Sequence, residues 1–303
     1  MAPPLGQHLR LRTLHTADLP PHPAIAPTSG TPVELFTFLK EVLDEAVTFA
    51  DETIPATFKE GADKSAPPAS AKVKLLSRDI KASELPESVK AKGGRNEPWF
   101  ARRSVHKSDR ADGTVDSAEL YFALKTDHSE HEFDYTPDVF DAHKVCDWND
   151  LITVRNGFDG GYSEVTMAIY EMCHKIPFPC ANRVFSTLVI TAQTSVLRDF
   201  VVAQLPVDLT DFPDADVLYA NGRNRRDGEP GIKRKKVIVG EYVSVERVTA
   251  TDNELTWVMA TASDAKGWLP MSLQKMGVPG AVVKDVSFVV DWTQKRRNRA
   301  FQR

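Results

Sequence analysis

Apolar and polar positions along the chain follow two periods. Val33, Phe36, Leu39, Leu43, Val47 and Ala50 recur at three- and four-residue steps, the spacing that places side chains on one helical face. Thr31-Pro32-Val33-Glu34 precedes them, with an N-cap threonine, a proline at the first helical position and a glutamate placed for a capping box. The helix is expected from Thr31 to near Thr53, before Pro55. Beyond it, β-branched and aromatic residues in partial alternation predict strands over Lys72–Ile80, Trp99–His106, Tyr162–Met172, Arg183–Ala192, Arg198–Val207, Lys236–Val248 and Glu254–Ser263. Their mostly short connections predict antiparallel pairing. Ser117–His128 reads as a short helix, and Trp268–Met276 as another. After Gly277-Val278-Pro279 a longer helix carries Val282, Val286, Val289 and Val290 on one face, with Phe288 and Trp292 alongside.

The stretches without period complete the outline. Residues 1–30, rich in proline and polar groups, are expected to run irregularly over the surface. Residues 61–70, GADKSAPPAS, read as a flexible connection, and the basic stretch 222–236 as a loop. The sum is an α+β fold, a curved antiparallel sheet wrapped around a long C-terminal helix. One domain is expected over 31–297, preceded by the irregular segment and followed by a basic tail, 298–303.

Composition narrows the class. A chain of 303 residues with 42% apolar content buries a core without disulfides or a structural metal. A net charge of -4 gives no general attraction to nucleic acid, and none is expected as a partner. Three cysteines without a C-x-x-C fit reduced thiols in an intracellular protein, hence a cytoplasmic location, peripheral to membranes at most. No stretch has the length of a membrane span, and the N-terminus lacks the apolar core of a signal peptide.

Several residue groups raise chemical readings. His128-Ser129-Glu130-His131-Glu132, with His143 downstream, suggests a metal site. Its spacing is H-x-x-H rather than the H-E-x-x-H of zinc proteases, and caps and surface polar groups are the plainer reading, so no metal and no cofactor are expected. Cys173 and His174 are neighbours on a predicted strand and point to opposite faces, which denies them a nucleophile–base contact. Gly157–Gly161 is read as a hairpin turn, with no helix behind it to support a phosphate. Arg102 and Arg103 share a strand, so one faces inward and the other outward. The inward one needs a carboxylate, for which Glu171 is a candidate, or an anionic ligand headgroup; a surface salt bridge is the alternative.

The motifs in order resemble a known family. KIPFPCANRVFSTLVITA, with Pro177, Pro179 and Arg183, and SDAKGWLPMSLQKMGVPGAVVKDVSFVVDW, with Gly267 and Pro270, resemble the helix-grip fold of START lipid-transfer domains. KVCDWND resembles the family's Trp-Asp strand end, with Trp148 matched and Asn149 in the place of the usual aspartate. WFARRSVH, HSEHEFDYTPDVFDAHKVCDW, HKIPFP and WVMATASDAKGWLP together are similar to the fungal DUF3074 group, START-like proteins of unknown function. The resemblance implies a cavity that binds or transfers a lipid or other hydrophobic small molecule. On it, Trp99, Arg102, Arg103, Tyr170, Glu171, Trp257, Met259, Phe288 and Trp292 are expected to line the cavity, with simple core packing as the competing reading. It also leaves open a cofactor-independent enzyme of fungal secondary metabolism, of cyclase or isomerase type, that uses Glu171 or Tyr170 with the inward arginine. A third reading is a filled core with no pocket larger than a few waters. The basic loop and tail are expected as solvated charge or as a transient contact with an anionic membrane surface.

Overall fold

The computed structural model describes residues 3–27, 29–154, 161–176, 180–194, 198–213, 216–221, 237–267 and 271–301. Pro177, Pro179, Pro270, most of the Gly157–Gly161 turn and the basic loop 222–236 lie outside them.

The first helix, α1 (Leu35–Thr48), begins later than its sequence suggests. Glu34, not Thr31, is the N-cap, because its carboxylate accepts the Thr37 amide at 2.7 Å. The helix then runs through a π-turn, Phe49–Thr53, into α2 (Ile54–Thr57), whose first turn accommodates Pro55. Residues 61–70 are not a loose connection. They form most of a hairpin between β1 (Lys59–Ala66) and β2 (Ala69–Ile80), turned by Pro67-Pro68. Then come α3 (Glu87–Lys90), β3 (Glu97–Lys107), α4 (Ser117–Leu124) and α5 (His128–Tyr135). The remainder is β4 (Val139–Asp147), α6 (Asn149–Val154), β5 (Ser163–His174), β6 (Arg183–Gln193), β7 (Phe200–Pro206), β8 (Ile238–Ala250), β9 (Glu254–Asp264) and α7 (Met271–Phe301). Where the pattern predicted two helices at the end, α7 is continuous, with Pro279 inside it.

The nine strands form one sheet in the order β1-β2-β3-β9-β8-β7-β6-β5-β4, each hydrogen-bonded to its neighbours antiparallel. Register shifts in β1, β4 and β5 bend it. Past the end of the short β7, β8 pairs parallel with β6 at Arg183–Phe185. Gly240 permits this crossing, since a Cβ there would stand 2.4 Å from the Phe185 ring.

Both faces of the sheet are covered. On the outer face α1 and the N-terminal segment pack on Trp99, Ala101, Met167, Ile169, Leu188, Val201 and Ala203. The N-terminal segment is irregular, as its composition predicts, but it is not peripheral. Leu9, Leu11 and Leu14 are buried, Arg10 is wholly buried and pairs with Glu97 and Glu45, and Leu14 bridges to Val207. On the inner face α7, α4 and α5 cover Val73, Tyr170, Val189, Val202, Val248 and Trp257. The valines 286, 289 and 290 of α7 are completely buried there, as their stripe requires.

Candidate functional site

The inner face holds a polar cup between β3, β8, β9 and the helices α5 and α7. Directly opposed residues of an antiparallel sheet share a face. Arg102 of β3 is opposite Met259 of β9, and Met259 is opposite Glu246 of β8, so all three face inward in one row. Arg102 is 1% exposed. Its Nη2 donates to Glu246 Oε1 at 3.2 Å, and its guanidinium stacks 3.9 Å above the Trp257 ring. Trp257 Nε1 donates to the same Glu246 oxygen at 2.9 Å. The Nε and Nη1 of Arg102 are buried with no partner.

The two helices add acids. Glu132 of α5 and Asp285 of α7 line the same space, with His128, Tyr135, Thr136, Gln204, Tyr242, Ser244 and Val289. Part of the Glu132 and Asp285 surface stays accessible, but it fronts this narrow space, where surrounding protein denies the carboxyls bulk hydration. Burial, reinforced by Asp285 and Glu246, pushes the Glu132 carboxyl up to about 8. Burial likewise raises Asp285 to about 6, against the pull of Arg102 and with the push of Glu246. Burial holds the Tyr135 and Tyr242 phenols above their usual range. His128 spends its ring on structure. Nδ1 donates to the Leu124 carbonyl at 2.5 Å, leaving Nε2 to accept the Gln204 amide at 3.0 Å.

The cup is small, about 40 Å³, room for about one water at liquid density. That is the size the filled-core reading expects. Beside it a cleft of about 280 Å³ opens between Gly61, Leu75, Ser77 and Phe100 of the sheet and Pro279 of α7. Leu75 of the cleft is the strand neighbour of Arg102 of the cup.

Of the nine residues expected to line a cavity, Arg102, Trp257 and Met259 do so together. Trp99 stands on the outer face, 4.8 Å from the Phe49 ring, with Nε1 donating to Glu97 at 2.9 Å. Arg103 points outward to Glu60 at 3.6 Å. Tyr170 is on the inner face away from the cup, donating to Glu130 at 2.5 Å. Glu171 is completely buried on the opposite face from Tyr170 and pairs with no arginine among the described residues. It accepts the amides of Leu218, Tyr219 and Ala220 at 2.8, 3.0 and 2.6 Å. Phe288 is half-buried outside the cup lining. Trp292 joins an aromatic cluster with Phe122, His131 and Tyr135, on which Arg296 stacks.

The histidines of the HSEHE segment do not converge. His131 Nδ1 contacts the Phe122 carbonyl at 2.9 Å, and His143 Nε2 the Asp216 carbonyl at 2.8 Å. Among the described residues no group of three or more potential ligands is arranged to hold a metal. The segment is a helix, and it adds His128 and Glu132 to the cup lining. Among the described residues no helix is long and apolar enough to cross a membrane.

Comparison with known proteins agrees with this architecture. The sequence profile described as "Protein of unknown function (DUF3074)" matches residues 99–293. Human STARD10 is structurally similar, with a TM-score of 0.52 at 13% identity over 84% of each chain. Human StAR-related lipid transfer protein 5 gives a TM-score of 0.51 at 11% identity, over 88% of this chain and 97% of that one. At these identities the likeness is one of fold, and it makes this an α+β helix-grip of the START type. No curated protein matches the sequence.

Proposed function

The chain belongs to the DUF3074 family, and from that premise we propose that it binds a hydrophobic small molecule beneath α7, with Arg102 holding the molecule's polar end. The observation that carries this reading is Arg102 itself. A guanidinium 1% exposed, in a residue that lines the cup and with two donor nitrogens buried and unpartnered, is costly unless an acceptor arrives. Trp257, Met259 and Val289 supply apolar wall around it. The name of one fold relative, human StAR-related lipid transfer protein 5, includes lipid transfer, which is consistent with apolar cargo. At about 40 Å³ the cup is too small for such cargo, so uptake requires α7 to lift, and the cleft at Pro279 is the route by which a chain enters. A cytoplasmic site of action, with transient contact to an anionic membrane, belongs to the same reading.

The test is titration of detergent-free protein with Nile red, alongside mass spectrometry of solvent extracts. Saturation near one equivalent is expected, with loss of binding in Val289→Trp, which fills the cup. Uptake that does not saturate, or that V289W leaves unchanged, overturns the proposal in favour of a filled core.

One observation favours the enzyme alternative. Glu132 and Asp285 are two acids whose environments separate their proton affinities, to about 8 and about 6, the arrangement used for paired acid–base work. They replace Glu171 and Tyr170 as the groups that reading would use. Conversion of an extracted ligand on re-incubation, lost in Glu132→Gln, would establish it. Return of the ligand unchanged would establish binding alone.

A further inference from the structure

The charges in the cup do not balance. Arg102 is the one basic side chain among its described lining residues, apart from the hydrogen-bonded ring of His128. Against it stand Glu246 from β8, Glu132 from α5 and Asp285 from α7. Glu246 takes Arg102 and the Trp257 indole N–H. Among the described residues Glu132 has only the His128 ring, at 3.9 Å, and Asp285 makes no hydrogen bond or ion pair. Tyr135 and Tyr242 complete the ionisable groups of the lining. Two surplus carboxyls side by side in this narrow, half-buried space are stabilised by holding protons or by meeting a cation from outside.

The arginine has the opposite need. Its Nε and Nη1 require an acceptor oxygen, but a carboxylate or phosphate brought to them would also face three acids. A neutral oxygen satisfies the donors without that repulsion. Resting on the cargo reading above, we propose that the polar end of the cargo is an amino alcohol: an ammonium set between Glu132 and Asp285, and a neighbouring hydroxyl accepting from Arg102. An apolar chain follows it along α7. The ammonium donates three hydrogen bonds to the carboxylates, and the rings of Tyr135 and Tyr242 lie in the same lining. Because burial and mutual repulsion keep the empty acids protonated toward neutral pH, an incoming ammonium displaces protons to the buffer. The cup exchanges protons for a cation and discriminates against anionic heads.

The test is isothermal titration calorimetry of the full chain with four ten-carbon probes: 2-aminodecan-1-ol, decylamine, decan-1-ol and decanoate. The order expected is amino alcohol, amine, alcohol, carboxylate. Amine over alcohol should be about tenfold or more, the worth of one charge-assisted hydrogen bond. Buffers of different ionisation enthalpy should show release of about one proton per amine bound, and amine binding should tighten from pH 5.5 to pH 8. The isosteric pair Glu132→Gln and Asp285→Asn should abolish both the amine preference and the proton release while leaving decan-1-ol binding in place. Arg102→Met should narrow the gap between amino alcohol and amine. Decanoate binding as tightly as decylamine, or an amine preference that survives in E132Q/D285N, overturns the amino-alcohol proposal alone. If none of the four probes binds, or V289W binds them all unchanged, the cargo reading falls with it.

Discussion

Arg102 and Glu246 form a buried ion pair in which each partner depends on the other for compensation. Arg102→Met strands Glu246 with only the indole N–H and should cost about 3–5 kcal/mol in denaturant unfolding. The double variant R102M/E246Q should recover most of it, because no charge is left unpaired. If the double is no more stable than the single, the pair is not what Arg102 serves. The sequence contained part of this arrangement. Alternation showed that Arg102 and Arg103 face opposite ways, but fixing which is inward needs a neighbour of known side. The same period-two rule forbids some of the expected sets. Trp99 and Arg102 are three apart on one strand, and Tyr170 and Glu171 are adjacent, so neither pair shares a face. Trp257 and Met259, two apart, do. Glu246 was within reach of the same logic, because the tight turn between β8 and β9 sets it opposite Met259. Asp285 showed itself only as an acid within the valine stripe of α7.

The cup's roof is held unequally along its length. At the C-terminal end of α7, Arg297 donates to Glu119 at 2.7 and 2.9 Å and to the carbonyls of Arg110 and Thr114. At the other end a Cβ built on Gly277 or Gly280 meets nothing within 4 Å, and Pro279 contributes no amide. On the cargo reading the helix is expected to open from its N-terminal half and to pivot at Arg297. Arg297→Ala should cost about 1–2 kcal/mol and hasten amide exchange across the last three turns. Gly277→Ala with Gly280→Ala should stabilise the helix by about 0.5–1 kcal/mol per site and slow release of Nile red. Equal release rates would show that this half does not unwind. The Gly-Val-Pro-Gly signal was legible, but its meaning was not: a break was expected where the helix continues through. The β1–β2 hairpin was illegible for a different reason. β1 is an edge strand with nearly every side chain exposed, so it carries no apolar alternation to detect.

For the molecule as a whole, the buried acids and histidines give opposite pH dependences. His106 and His174 are held down to about 4 by burial, against an ordinary 6.5. The unfolded chain takes up their protons first, so their contribution is complete above about 6.5 and is lost as pH falls toward 4. Glu132 does the reverse. The folded chain keeps its proton to about 8, while the unfolded one releases it near 4.5, so stability declines as pH rises through that window. Between pH 6.5 and 8 only the Glu132 effect remains of these two, and the thermal midpoint should fall there. Glu132→Gln should flatten that fall; a decline unchanged in E132Q would assign it elsewhere. Whole-molecule order was the most legible scale, since strand periodicity and motif order both pointed to a helix-grip. The buried N-terminal segment was missed because its leucines lie in a proline-rich, aperiodic stretch. That segment also has a consequence for how the protein is born. Leu9, Leu11 and Leu14 leave the ribosome well before Val207, to which Leu14 bridges, and the outer-face residues of β6 and β7. At ~5–20 residues per second the wait is on the order of ten seconds or more. Through that interval the three leucines form an apolar ribbon whose docking surface has not yet been made, a stretch for a chaperone to shield.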